Sequence, residues 1–126
     1  MFKILVVGLG GFFGSISRYL LSNLVFQLSG QHWFPLGTLT VNVLGCLTIG
    51  WLAGLAEVKA VFSEEVRLFL LVGFLGGFTT FSSFGHETVN LFRDSQNLFA
   101  MLNISLQIGL CLGAAWLGYH IANISL

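Results

Sequence analysis

Four long apolar stretches fill the chain, from about Ile4 to Phe26, Gly37 to Ala56, Val66 to Phe92 and Leu98 to Ile121. A helix needs about 20 apolar residues to cross a bilayer, and each stretch meets that length. The connections between them are short: 27–36, which holds the single proline (Pro35), then 57–65, then 93–97. Trp33, Trp51, Trp116, Tyr19 and Tyr119 fall mostly near the stretch ends, where interfacial aromatics sit. The pattern predicts an all-α membrane protein, a single domain over 1–126 with four transmembrane helices. The Met-Phe-Lys start reads as part of the first span rather than a cleaved leader. Its apolar run continues to about Phe26, and no small-x-small site follows.

The third stretch breaks the pattern. Within Gly73 to Glu87 it carries Gly76-Gly77, then Thr79, Thr80, Ser82 and Ser83, with Phe78, Phe81 and Phe84 between them. Irregular backbone survives in hydrocarbon only where protein or a water-filled path surrounds it. The third helix is therefore expected to be broken mid-membrane, and the break to be an ion or substrate site.

Composition agrees with the pattern. The chain is 56% hydrophobic and 8% charged, with mean hydropathy +0.90, against about 25% charged residues in soluble domains. Its net charge of zero gives no electrostatic case for binding nucleic acid. Cys46 and Cys111 lie in different apolar stretches and read as small packing residues rather than a disulfide. No CxxC, HExxH or His/Cys cluster supports a transition-metal site.

Each stretch also carries a Gly-x-x-x-Gly pair: Gly10/Gly14, Gly50/Gly54, Gly73/Gly77 and Gly109/Gly113. Small residues allow the close backbone approach by which helices associate in lipid, so a tight bundle is expected. Four spans place Lys3, Lys59 and Arg67 on one side and Arg93 on the other, joined by Arg18. Orientation follows the Lys/Arg difference between sides, and here the difference is almost absent. Either weak cues set one orientation, or the chain inserts both ways and pairs with itself. Four helices enclose little volume alone, which favours a dimer.

The polar residues inside the spans form a set. Arg18 either snorkels to the interface or forms an electropositive vestibule. Asn42 either makes an interhelical hydrogen bond or offers donors to a pore. Asn103, Gln107 and Cys111 repeat every four residues and share one helix face, which reads as one side of a wet groove. The hydroxyls of Thr79, Thr80, Ser82 and Ser83 either bond back one turn or face a path. Phe81 and Phe84 share a face and either pack against lipid or present their electropositive ring edges to an anion. Glu87 closes the motif near a helix end, where it can reach water. Donors dominate the set, which suits a small anion better than a cation. Moving a carboxylate-sized ion into a dry interior costs on the order of 20 kcal/mol, so donors must follow one another along the whole path. Ser83, His86 and Glu87 are too closely spaced on one helix to form a hydrolase triad, so no enzyme is expected.

GGFFGSISRY (Gly10–Tyr19), GTLTVNVLGCLTIG (Gly37–Gly50) and GFLGGFTTFSSFGHE (Gly73–Glu87) together resemble the CrcB/Fluc fluoride channels. The resemblance covers the whole chain in order. It implies an antiparallel, dual-topology homodimer in the bacterial inner membrane, with two pores that export fluoride passively. Asn42, Phe81, Phe84, Ser82, Ser83, Arg18 and Glu87 match pathway positions. Asn103 and Gln107 match a fourth-helix track that varies in the family. Gly76 and Thr79 match positions whose backbone carbonyls hold a structural sodium ion at the dimer centre. Position 83 is Ser where the family usually has Thr, which keeps the hydroxyl. The competing reading is a proton-coupled, small dual-topology exporter. That carrier needs a carboxylate deep in a helix, and the first two stretches have none.

Overall fold

The computed structural model describes residues 1–59 and 62–124, and the side chains of all of these except Val58 and Lys59. The Lys59 charge assigned above to one side, and part of the 57–65 connection, thus lie outside the described residues. The described residues form four membrane-length helical spans, as the apolar pattern predicts.

Helix α1 runs Phe2–Ser29 and stops at Gly30, whose φ of 61° is the left-handed cap that glycine adopts without strain. The Gly30 amide donates to the Phe26 carbonyl at 3.3 Å. Helix α2 spans Leu36–Lys59 directly after Pro35. The third span starts with α3, Glu64–Arg67, capped by the Ser63 hydroxyl, which accepts from the Val66 amide. It continues without interruption through a π-helical stretch, Leu68–Leu75, and a last α-helical turn, α4, Gly76–Phe78. Thr79 and Thr80 are then extended, and α5 follows at Phe81–Arg93. Helix α6 spans Asn97–Ile124.

The break expected within Gly73 to Glu87 is therefore present, and it falls at Thr79-Thr80. Glycine inside a membrane helix keeps its backbone hydrogen bonds and need not interrupt it. Thr80 leaves the helix because a side chain from α2 takes up its backbone groups, as described below.

Two helix pairs build the bundle. Helix α1 lies along the first half of the third span, and α2 packs most extensively on α6. Both contacts are glycine-lined. A Cβ added at Gly10 or Gly14 would strike the Phe69 or Phe74 carbonyl, and one at Gly73 or Gly77 would sit 2.7 Å or 2.6 Å from the Val7 or Gly11 carbonyl. On the other side, a Cβ at Gly50 would strike the Ala115 carbonyl, and one at Gly54 would sit 2.7 Å from the Ala122 Cβ. Three of the four Gly-x-x-x-Gly pairs thus mark close approach. The fourth does not: Gly109 and Gly113 are exposed, and an added Cβ at either meets nothing within 4 Å. The α6 glycine that touches α2 is Gly118, against the Leu47 carbonyl. Lys3 forms an ion pair with Glu64, which ties the start of α1 to the start of the third span.

Candidate functional site at the helix break

The break places two opposite helix ends beside each other at the middle of the bundle. The helix from Glu64 to Phe78 ends there with its carbonyls, the negative end of its dipole. Helix α5 begins there with its amides, the positive end. The last amide of the first half is that of Thr79, which donates to the Leu75 carbonyl at 2.9 Å. In an unbroken helix the Thr80 amide would close on Gly76. Instead it donates to Asn42 Oδ1 at 2.8 Å, and Asn42 Nδ2 donates to the Thr80 carbonyl at 3.1 Å. The carboxamide of Asn42 thus pairs with both backbone groups of Thr80, and its Nδ2 also donates to Gln107 Oε1 at 3.1 Å. Of the two readings of Asn42, the structure shows the interhelical bond: every polar atom of its amide is engaged.

Hydroxyls gather at the start of α5. Thr80 Oγ1 accepts from the Ser83 amide at 3.1 Å, which makes Thr80 the N-cap. The same oxygen donates to Ser83 Oγ at 3.0 Å and lies 3.2 Å from Ser82 Oγ. Thr79 differs, for its hydroxyl bonds back to the Leu75 carbonyl at 2.9 Å. The Phe81 and Phe84 rings stand edge to face, with centroids 5.3 Å apart and planes at 71°. Phe84 is buried, whereas Phe81 is 81% exposed and projects from the chain.

An open groove of about 410 Å³ runs over the break. Asn42, Gln107, Phe81, Phe84, Gly76 and Thr79 all contribute to its wall. The fourth-helix stripe divides there. Gln107 borders the groove, but Asn103 is fully buried between α5 and α6, where its Nδ2 donates to Thr88 Oγ1 at 2.9 Å. The two residues of the stripe therefore have different surroundings, Gln107 at the groove and Asn103 behind it. Asn103 Oδ1 and Gln107 Nε2 are buried without hydrogen-bond partners among the described residues.

A second cavity, of about 470 Å³, opens at the bundle end formed by residues 31–38 and 87–96. Glu87 lies in its wall: Oε1 accepts from the Thr38 hydroxyl at 2.6 Å, and Oε2 is buried without a partner. His86 pairs with Asn90 on the exposed side, as an interfacial residue would. Arg18 is half-buried roughly three turns before the end of α1, one turn before Ser22, which lines that cavity. It makes no ion pair among the described residues. The structure thus joins Asn42, Gln107, Phe81, Phe84, Ser82 and Ser83 around the break, sets Glu87 at the cavity beyond it, and leaves Arg18 and Asn103 off both walls.

Sequence reasoning gave no role to Thr38 or Thr88, and Thr80 only a generic one. All three are buried and bonded to the site: Thr38 to Glu87, Thr80 to Asn42, Thr88 to Asn103. Spacing was the signal available for Thr38, since it lies one helical turn before Asn42 and shares its face.

Gly76 is exposed in mid-span, and a Cβ there would meet nothing within 4 Å. Its carbonyl has lost the amide that would have closed on it. A helix end of this kind, rich in carbonyl oxygen and open on one side, fits a hard cation such as sodium.

Four membrane-length spans, the third of them broken beside a hydroxyl- and amide-lined groove, define a multi-pass membrane transport protein. The chain belongs to the CrcB family: residues 5–119 match the model described as "CrcB-like protein, Camphor Resistance (CrcB)". Three bacterial relatives are each named "Fluoride-specific ion channel FluC". That of Methylobacillus flagellatus is 43% identical over 100% of this chain and 98% of its own length. That of Elusimicrobium minutum is 46% identical over 96% and 94%. That of Geobacter sulfurreducens is 44% identical over 98% and 98%.

Proposed function

We propose that this protein is a fluoride channel of the bacterial plasma membrane, which lets fluoride leave the cell down its gradient. The observation that carries the reading is the α5 N-terminus at the groove, where Thr80 and the edge-to-face Phe81/Phe84 pair line the wall and the Ser82 and Ser83 hydroxyls gather on Thr80 Oγ1. Helix amides, hydroxyls and ring edges all present positive charge, and none binds an anion so tightly that it cannot move on. Asn42 holds the break open and sets Gln107, whose free Nε2 supplies a further donor. Arg18 attracts anions to the bundle end, and Glu87 with Thr38 stands where ions enter or leave the cavity. Asn103 acts from behind, through Thr88. No bond is made or broken, so conduction needs no enzyme chemistry.

The working unit in this reading is an antiparallel homodimer. In lipid the exposed Gly76, whose carbonyl has lost its helical amide, needs a protein cover, and a second copy supplies one. The exposed glycines Gly109 and Gly113 leave α6 a face that another helix can approach closely. The carbonyls of Gly76 and Thr79 would hold a structural sodium ion, which supplies positive charge to the helix ends it joins. Fluoride sensitivity in cells tests the function. A bacterium lacking its own fluoride exporter should grow in millimolar fluoride when it makes this protein, and equal growth arrest with and without the protein would refute the reading.

A further inference from the structure

Helices α2 and α6 run parallel, and their contacts repeat every four residues as rungs. Asn42 bonds Gln107 at 3.1 Å. Two turns on, the backbones at Gly50 and Ala115 touch. Cys46 and Cys111 form the rung between. Both are half-buried and both lie in the wall of the same groove. Cys111 Sγ is 3.9 Å from Gln107 Oε1, and Cys46 stands opposite on α2, between the Asn42–Gln107 and Gly50–Ala115 contacts. Residues far apart in sequence, expected above to be separate packing groups, thus present two sulfurs to one space.

We propose that Cys46 and Cys111 form a two-thiol site for a soft, linearly coordinated cation, and that the bound metal acts on the conduction groove. Soft cations of the Hg²⁺, Cu⁺ and Ag⁺ kind select thiolate sulfur over the amides and hydroxyls nearby. Binding exchanges protons for metal: two S–H bonds break, two S–metal bonds form, two protons leave to water, and nothing is oxidised. With Hg²⁺ the product is neutral, which a low-dielectric wall accepts better than a net charge. The metal would tie α2 to α6 one turn from Gln107 Oε1, which already shares its lone pairs between Asn42 and Cys111.

The chain has two cysteines in all, so thiol counting is unambiguous. The test titrates purified full-length protein with HgCl₂ and counts the thiols still open to a maleimide. One Hg²⁺ per chain should protect both thiols, whereas Cys46→Ser and Cys111→Ser should each need one Hg²⁺ for the single thiol left. Protection that needs two Hg²⁺ per chain in the native protein would overturn the site. So would protection of a single-cysteine variant by half an equivalent, since the bridge would then lie between chains. In liposomes, one equivalent should slow fluoride efflux several-fold in the native protein. It should leave the double serine variant at its own untreated rate. Full protection with unchanged native efflux would overturn the action on the groove. The thiol count needs no transport, so it stands or falls apart from the fluoride reading above.

Discussion

Asn42 pairs with Thr80 through both ends of its carboxamide, Oδ1 to the amide at 2.8 Å and Nδ2 to the carbonyl at 3.1 Å. One side chain from α2 thereby takes the place of a helical turn in the third span. It frees a carbonyl end and an amide end at mid-membrane, and the same Nδ2 orients Gln107. The two halves of the break face different charges for this reason.

Asn42→Asp should lose stability and conduction together. The substitution keeps the acceptor but removes the donor to the Thr80 carbonyl and to Gln107 Oε1. Each buried group left unsatisfied costs about 1–3 kcal/mol. Thermal unfolding in detergent should show a lower midpoint, and fluoride efflux should be nearly abolished. Lost efflux at an unchanged midpoint would limit Asn42 to the pathway and take away its structural role.

Phe81→Ile should behave differently. Phe81 is 81% exposed in the chain and touches Phe84 by its ring. Stability should stay within about 0.5 kcal/mol, as for surface substitutions, while efflux is lost with the ring edge. Normal efflux in this variant would remove the Phe81/Phe84 pair from the pathway.

Gly118→Ala should destabilise the α2–α6 contact, because the added Cβ meets the Leu47 carbonyl and the Trp51 amide. Overpacking of this kind costs about 1–3 kcal/mol. Gly8→Ala is the control. Its Cβ meets nothing within 4 Å, and helix propensity should make it neutral or stabilising by up to about 1 kcal/mol. Equal effects in the two variants, read by thermal unfolding, would contradict the packing.

Gly109 and Gly113 show why a motif does not fix a partner. They have the same spacing as Gly50 and Gly54, yet α6 turns Gly118 to α2 instead. The number of spans and the presence of a break were legible because bilayer thickness and hydrocarbon act on each segment by itself. The position of the break was not, because Asn42 and Thr80 are 38 residues apart and the bond between them decides it. The roles of Thr38 and Thr88 were hidden for the same reason: each is defined by a partner on another helix or at another depth. Chemistry inside the Gly73–Glu87 segment was readable locally, since Thr80, Ser82 and Ser83 bond one another.

Glu87→Gln separates a channel from a proton-driven carrier. Glutamine can still accept the Thr38 hydrogen bond that Glu87 accepts at 2.6 Å, but it cannot carry a proton through a cycle. Downhill fluoride flux should persist in this variant, and a proton gradient should drive no accumulation by the native protein. Abolished flux together with uphill accumulation in the native protein would favour the exporter.

The most direct measurement is anion efflux from liposomes that contain this protein and no other. With a potassium ionophore to balance charge, fluoride should leave rapidly while chloride, loaded at the same concentration, stays inside. Fluoride and chloride leaving at equal rates, or neither leaving faster than from protein-free liposomes, would contradict the account.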